Sequence, residues 1–558
     1  MKKHNAIKVV LITLAVFVLL TWILPAASYS GEFTDQGRIQ VGFYDLLVYP
    51  LIAISNFYPA TIFILVVGAF YGILYKIPAY RNLLDSIANK LKSKGELFIG
   101  LTMIILAVAT SVCGIQMGFV LFFPFLASII LLMGYDKIVA ALTLVGGTMI
   151  GVAGTTYGYE NVAILYQILG NQENGLAITS DIPVKVAILV VGLAVLIVNT
   201  LMYIKKNNKV TVKEEKVEKK EEPKKVEAKV EEEEIKEAKV EEEKSSKKST
   251  SKSKSSAKDS KKESTKKTTT KKSSTKKSSK NNNKAAAESD DVIVIKGTEE
   301  NDEYLVPKEN DKKHSTWALI CGFIFLFVVL VLAFIPWNNV FGITAMEDAL
   351  KAVYEFKIFG FQLFSKLAGT NNQFQAFGSW TISDMIFVIG IVSVVLTFIY
   401  RVKIDDVIDG AVEGMKRALV PAILSVLVYV ALVLNVSNAY QTTIYKFVLD
   451  ITGDFNVFTT AVTTALASFF NYDPYYVFQL IVPYIAGITK NADAYGMIAV
   501  ISQAMYGFTM LIAPTSLVLM GTLAYLKVSY KDWLKNTWKF LLELLVVFLV
   551  VFTVLVLI

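Results

Sequence analysis

Histidine and cysteine are almost missing from this 558-residue chain, which holds two of each. His4 and His314 stand far apart at the edges of apolar stretches, so they cannot build a zinc or iron site, and neither has the partners of a catalytic base. Cys113 and Cys321 fall inside apolar runs, where a free thiol packs as a small hydrophobe, and no structural disulfide is expected. A Walker phosphate loop and a nucleophile elbow are also lacking, which leaves an ATP-driven pump and a membrane hydrolase without support. The chain is therefore not expected to be an enzyme, and no cofactor is expected beyond a coupling ion.

Apolar residues are abundant instead. At 54% of the chain and a mean hydropathy of +0.50, they exclude a soluble globule and make the lipid bilayer the solvent. The formal charge of +8 is local. Residues 205–314 hold about 32 Lys against about 25 acidic residues, roughly +7 of the total, so the apolar remainder is near neutral.

Apolar stretches run near 7–27, 59–77, 97–134, 138–168, 185–204, 316–336, 382–400, 417–435, 456–489, 494–526 and 539–558. The first is roughly 20 residues, longer than a signal peptide core, and more spans follow, so an uncleaved helix with Lys2, Lys3 and Lys8 in the cytoplasm is the better reading. Residues 97–134 and 456–489 are each roughly 35 long and interrupted by Cys113-Gly114 and by Asn471-Tyr472-Asp473-Pro474, as re-entrant hairpins would be. Arg81, Lys90, Lys92, Lys94, the 205–314 loop, Arg401, Lys403, Lys416, Arg417 and Lys527 to Lys539 all fall on the cytoplasmic side if nine helices cross and two hairpins do not. The fold expected is all-α and polytopic: residues 1–204 and 315–558 are two membrane halves in an inverted repeat, joined by a cytoplasmic loop. Short amphipathic stretches, Ile77 to Gly95 and Tyr440 to Gly453, precede the two hairpins as interfacial arms.

The loop at 205–290 is Lys, Glu, Ser and Thr with almost no apolar content, and is expected to be disordered. Its Lys/Ser/Thr tract can attract anionic lipid, although a solvated linker is the simpler reading, and no specific nucleic-acid partner is expected. Within 291–310, Val292 to Ile295 and Tyr304 to Val306 are expected to form at most one small strand pairing.

Two intramembrane stretches are rich in small and hydroxyl residues, Gly146 to Gly158 and Tyr506 to Gly521, at equivalent places in the two halves. Unwinding at Gly151, Gly154 or Pro514 would expose half-helix ends that can hold a carboxylate or a cation at mid-membrane, with Thr155, Thr156, Thr509, Thr515 and Ser516 supplying hydroxyls. For any one of these residues, close helix packing is an equally good explanation. The hairpin tips add Ser111, Gly114, Gln116 and Met117 on one side and Ser468, Asn471 and Asp473 on the other. Glu160, beside Asn161, and Asp473 are acids at membrane depth, where a proton relay or cation partner is the default reading and an aqueous edge the bland one. A sodium ion, if one is coupled, is placed near Gly151, Thr155 and Thr515. No Lys or Arg occurs within the broken stretches.

The chain resembles the YfcC-like branch of the ion transporter superfamily, related to four-carbon dicarboxylate and short-chain fatty acid carriers. The resemblance lies in Trp22-Ile23-Leu24-Pro25-Ala26, Gly134-Tyr135-Asp136, Gly151 to Thr156, Val412-Glu413-Gly414-Met415-Lys416, Gly507-Phe508-Thr509 with Pro514-Thr515-Ser516 and Met520, and Tyr530 to Lys535. It covers both membrane halves and excludes the central loop. It implies an inverted-repeat fold, a homodimer, and an elevator motion of the hairpins with the broken helices. The tips depart from the family pattern: Gly114-Ile115-Gln116-Met117 stands where an acid-rich tip is usual, and Asn471-Tyr472-Asp473-Pro474 where Pro-Ser-Gly-Ser-Gly is. Substrate identity is therefore not carried over.

The function expected is a plasma-membrane secondary transporter of a small organic carboxylate or amino acid, driven by sodium, protons or exchange. A basic amino acid exchanger of the same fold is one alternative, given buried acids without buried bases. A non-transporting membrane anchor whose lysine-rich loop recruits partners is another. Deletion of residues 210–290 separates the carrier readings from the anchor: a carrier should still transport, while an anchor should lose its phenotype.

Overall fold

The computed structural model describes residues 5–170, 176–218, 305–308, 314–369 and 374–557, the side chains of Glu160, 208–218 and Ala368 aside. The described residues up to 207 and from 305 onward form one packed unit. The expected disordered loop and the strand at 292–295 lie outside the described residues; Leu305 and Val306 themselves lie in a turn.

The described chain is a helical, multi-pass membrane protein. Eight of its helices are long and apolar enough to cross a bilayer. In order, the elements are α1 (Asn5–Ile23), β1 (Ala26–Tyr29), β2 (Phe33–Gly37), α2 (Phe43–Lys76), α3 (Pro78–Leu91), α4 (Gly95–Cys113), α5 (Phe123–Leu132), α6 (Lys137–Ala141), α7 (Gly147–Ala153), α8 (Tyr159–Leu169) and α9 (Ile182–Glu218). The later part comprises α10 (Trp317–Phe334), α11 (Ala345–Glu355), α12 (Leu363–Ala368), α13 (Ile382–Ile399), α14 (Ile404–Asn438), α15 (Gln441–Asp450), α16 (Val457–Phe470), α17 (Pro474–Ile488), α18 (Tyr495–Thr509), α19 (Leu517–Tyr525) and α20 (Tyr530–Leu557).

The order long helix, arm, hairpin, broken helix, closing helix occurs twice. It runs through α2, α3, α4/α5, α6–α8 and α9, and again through α14, α15, α16/α17, α18/α19 and α20. Within each half the first limb of the hairpin packs on the first piece of the broken helix, α4 on α7 and α16 on α18. Both segments read as re-entrant hairpins are helix pairs broken at the expected residues, and both amphipathic arms are helices.

Three differences from the sequence reading have local causes. Helices α2 and α14 extend beyond 59–77 and 417–435: α2 carries Pro50 and kinks at Phe57, just ahead of Pro59, while α14 gains the more polar turns from Ile404, and packed neighbours let a membrane helix keep such prolines. Helix α9 continues past 204 to Glu218 through Lys and Glu, which are good helix formers. A two-stranded antiparallel ribbon, β1 with β2, follows Pro25 and turns at Gly31, whose φ of +85° suits glycine.

The scaffold of the unit is the antiparallel pair α2 and α14, the most extensive helix contact present. Polar and aromatic ties keep one register along its length: Tyr49 donates to Asn438 at 2.8 Å, Phe57 stacks on Tyr429 at 4.3 Å, Thr61 meets Ser425 at 2.7 Å, and Lys76 pairs with Glu413 at 3.4 Å. The backbones touch where Gly68 and Gly72 cross Gly410 and Gly414. A Cβ at Gly68 would stand 2.5 Å from that of Ala418, and one at Gly72 would overlap the Gly410 carbonyl oxygen. This is small-xxx-small packing, in which the missing side chains let two helices approach.

Leu305 and Val306 are buried where α2, α3 and α5 meet. The Leu305 carbonyl accepts from Ser128 Oγ of α5 at 2.6 Å and from Tyr75 of α2 at 3.3 Å, and Arg81 of α3 donates to the Pro307 carbonyl at 2.7 Å.

Gly72→Leu should destabilise the folded protein by about 3 kcal/mol through overpacking. Thermal unfolding of purified protein checks this, with Gly100→Leu as the control, since nothing lies within 4 Å of a Cβ at Gly100. Equal melting temperatures for the two variants would contradict the crossing.

Candidate substrate site at the hairpin tips

The first hairpin turns where α4 ends. Gly114 takes φ +73° and its N–H bonds the Thr110 carbonyl at 2.8 Å, the left-handed cap that glycine accommodates. This places Gly114 against Gly158 of the first helix break, so closely that a Cβ on Gly114 would lie 2.6 Å from the Gly158 carbonyl carbon. Ser111 closes the joint. Its carbonyl receives the amides of Thr156, Tyr157 and Gly158 at 3.0, 3.3 and 3.3 Å. Its hydroxyl donates to the Gly154 carbonyl at 2.6 Å and lies 3.1 Å from Thr156 Oγ1.

The sequence reading left these break amides open for a substrate carboxylate. In the fold the Ser111 carbonyl occupies them, because hairpin and break meet backbone to backbone. The break itself follows a π-helical turn at Leu142–Gly146, a local underwinding often found beside functional positions.

The second tip is built differently. Asp473 caps α17, accepting from the Tyr475 amide at 3.0 Å, and Asn471 is fully buried, its Oδ1 3.3 Å from Asn435 Nδ2. Asn435 Nδ2 also donates to the Phe470 carbonyl at 2.8 Å. Thr515 of the second break ties that break to the hairpin by donating to the Phe469 carbonyl at 2.8 Å. Ser516 caps α19 by accepting from the Leu519 amide, Pro514 is buried before it, and Thr509 Oγ1 turns back onto the Met505 carbonyl within its own helix.

Helix α18 stitches the parts together. Gln116 of the first tip donates to Tyr506 Oη at 2.9 Å, and Tyr506 donates to the Tyr472 carbonyl of the second tip at 2.6 Å. One turn earlier, Gln503 Nε2 donates to the carbonyls of Ala153 and Thr155 in the first break at 3.2 and 2.8 Å. Gly507 lies so near the Ala153 backbone that a Cβ there would overlap its amide nitrogen. Both hairpins and the first break thus hang on one helix.

Several buried polar atoms of the hairpins, the first break and α18 have no partner in the protein. They are the oxygens Gln116 Oε1 and Gln503 Oε1, the amide nitrogen of Asn161, and the hydroxyls of Thr110, Thr460 and Thr463. The orientation of each glutamine follows from its network, since both use Nε2 as donor and so present an oxygen. Buried polar groups left unpaired in a protein ask for a water, ion or ligand. The set contains acceptors suited to a cation and donors suited to a carboxylate.

Thr155 Oγ1 is directed to the Val152 carbonyl at 2.8 Å and lies 3.4 Å from that of Gly151. The described residues hold no cluster of His, Cys, Asp or Glu that could bind a metal, so a coupled sodium would rest on carbonyl and amide oxygens. The side chain of Glu160 lies outside the described residues. Lys185 on α9 is fully buried, donates to the Ile178 carbonyl at 2.6 Å and covers the Tyr166 ring at 4.5 Å.

Gln503, Tyr506, Tyr472 and Asn435 were not singled out from sequence. A buried Gln-x-x-Tyr on a helix next to a break is a usable signal, since a polar pair at i and i+3 in an apolar helix faces one partner. Tyr506→Phe keeps the ring on Phe478 but removes both hydrogen bonds, and should cost about 2 kcal/mol of stability. Combining it with Gln116→Leu should be far from additive, since the two act in one network; additive losses in thermal unfolding would refute the link.

A profile of the DcuC family, described as C4-dicarboxylate anaerobic carrier, matches residues 53–242 and 246–557. No curated relative matches the chain. Among solved structures, the Alcanivorax borkumensis YdaH transporter is similar over 99% of this chain and 98% of its own at 12% identity, with a TM-score of 0.37, a likeness too low to carry an argument.

Proposed function

The chain belongs to the C4-dicarboxylate anaerobic carrier family, and from that premise we propose that it is a secondary carrier that moves a small dicarboxylate together with a cation, without enzymatic chemistry. The observation that carries the reading is a set of buried groups with no partner in the protein: the amide oxygens of Gln116 at the first tip and Gln503 on α18 for the cation, and the Asn161 side-chain amide on α8 with the Thr110 and Thr463 hydroxyls on α4 and α16 for the carboxylate. The described tips and breaks place no cationic side chain among these groups, so a dianion is best neutralised by an ion that travels with it. Sodium or a proton fills that role.

Movement is the second half of the proposal. The α2–α14 pair is stiffened by backbone contact and by ties at every level, while the hairpins and breaks are bound to each other through α18. That division supports an elevator step, in which the tip assembly slides along the α2–α14 face. The proposed setting is the plasma membrane, with the carrier as a homodimer; the positive charge of its first residues supports a cytoplasmic N-terminus.

Uptake of radiolabelled succinate into proteoliposomes tests this. Uptake should follow an imposed sodium or proton gradient, and Asn161→Ala should reduce it about tenfold by removing one donor to a charged ligand. Uptake of arginine without succinate transport would replace this proposal with the basic amino acid exchanger.

A further inference from the structure

Beside the first hairpin lies a narrow, mainly apolar cavity with an open mouth, walled by α2, α14, the hairpin and α19. Along α2 it runs from Ile64 to Tyr75, about 16 Å at the rise of a helix. Met117 of the hairpin tip and Arg417 of α14 both line it, and the Arg417 guanidinium lies at the Tyr75 end of the α2 wall. Elsewhere the walls are mainly aliphatic and aromatic, with Val67, Phe123 and Val518 typical.

Arg417 is the sole charged group on that wall. Its Nη2 bonds Glu413 at 2.8 Å and its guanidinium lies 4.9 Å over the Tyr75 ring, but Nη1 is buried and has no hydrogen-bond partner. Lys76 also pairs with Glu413, so two cations share one carboxylate and the cluster keeps an excess positive charge. An arginine cannot shed its proton to relieve this.

We propose that this cavity binds a single-chain fatty carboxylate, with its head on Arg417 Nη1 and its tail along the α2 wall toward Ile64. The chemistry selects that class. A dicarboxylate would bring a second charge into a wall with no second cation to meet it, and an uncharged chain would leave Nη1 unpaired. Charge-assisted pairing at one end and apolar burial along the rest match an amphiphile of one charge.

The bound chain would lie between the α2–α14 pair and the first hairpin, two parts that must shift if the tips move, so occupancy should slow transport without competing for the substrate site. That consequence rests on the function proposed above; the binding does not.

The test is thermal unfolding of the full chain in phosphatidylcholine nanodiscs with decanoate below its micelle concentration, beside decan-1-ol and decylammonium. Decanoate should raise the melting temperature and the two controls should not. Arg417→Gln should weaken the half-saturating concentration about tenfold, while Arg417→Lys, which keeps the charge, retains the effect and shows that the site still folds. Gly521→Leu should abolish binding by filling the cavity, since a Cβ there meets only Pro421 at 3.9 Å. Equal stabilisation of Gly521→Leu and the parent protein, or equal action of decanol and decanoate, would overturn the proposal. So would a response to succinate that vanishes in Arg417→Gln. With binding established, inhibition of succinate uptake that excess succinate relieves would overturn the regulatory part alone.

Discussion

Everything in the membrane unit is referred to the place where α2 and α14 touch through glycine. Apolar side chains give little drive for one helix to prefer another over lipid, so close approach and shape decide the pairing. With Gly68, Gly72, Gly410 and Gly414 at the crossing, the two backbones come near enough for Thr61 to reach Ser425 and for Phe57 to lie flat on Tyr429. Those contacts in turn set the register in which Tyr49 meets Asn438 and Lys76 meets Glu413. A wider crossing would lose all of them together.

The tip assembly solves the opposite problem. Its segments are short, broken and polar, and each break frees backbone groups that a bilayer cannot satisfy. The solution is to let one break's amides face another segment's carbonyl, as Thr156 to Gly158 do with Ser111, and to let side chains of α18 take up the remaining carbonyls. What stays unpaired is a small set of amide and hydroxyl groups.

Much of this was legible in the sequence, for reasons of scale. Apolar runs of membrane length, interrupted at Cys113-Gly114 and at Asn471 to Pro474, are properties of a single segment, and the hairpins and broken helices follow from them. The Gly151 to Gly158 break was legible because glycine clustering is local too. Gln503 and Tyr506 were not, since their partners lie 348 and 390 positions away for Thr155 and Gln116 and nothing in a lone glutamine or tyrosine announces such a neighbour. The same limit hid the fate of the break amides: their sequence says that they are free of their own helix, but only the fold shows Ser111 in front of them. The glycine crossing was within reach, since Gly-x-x-x-Gly occurs at 68–72 and again at 410–414, yet each copy alone is an ordinary motif and the meaning lies in their meeting.

The stretch around Leu305 gives the chain between the halves a mechanical character. One carbonyl is shared by Ser128, on a hairpin limb, and Tyr75, on the long helix beside it, while Arg81 grips two residues further on. The two neutral bonds are worth about 1 kcal/mol each and the charged Arg81 bond about 2 kcal/mol, so the arrangement is a clip rather than a lock. Residues 305–307 thereby tie α2, α3 and α5 together at one point.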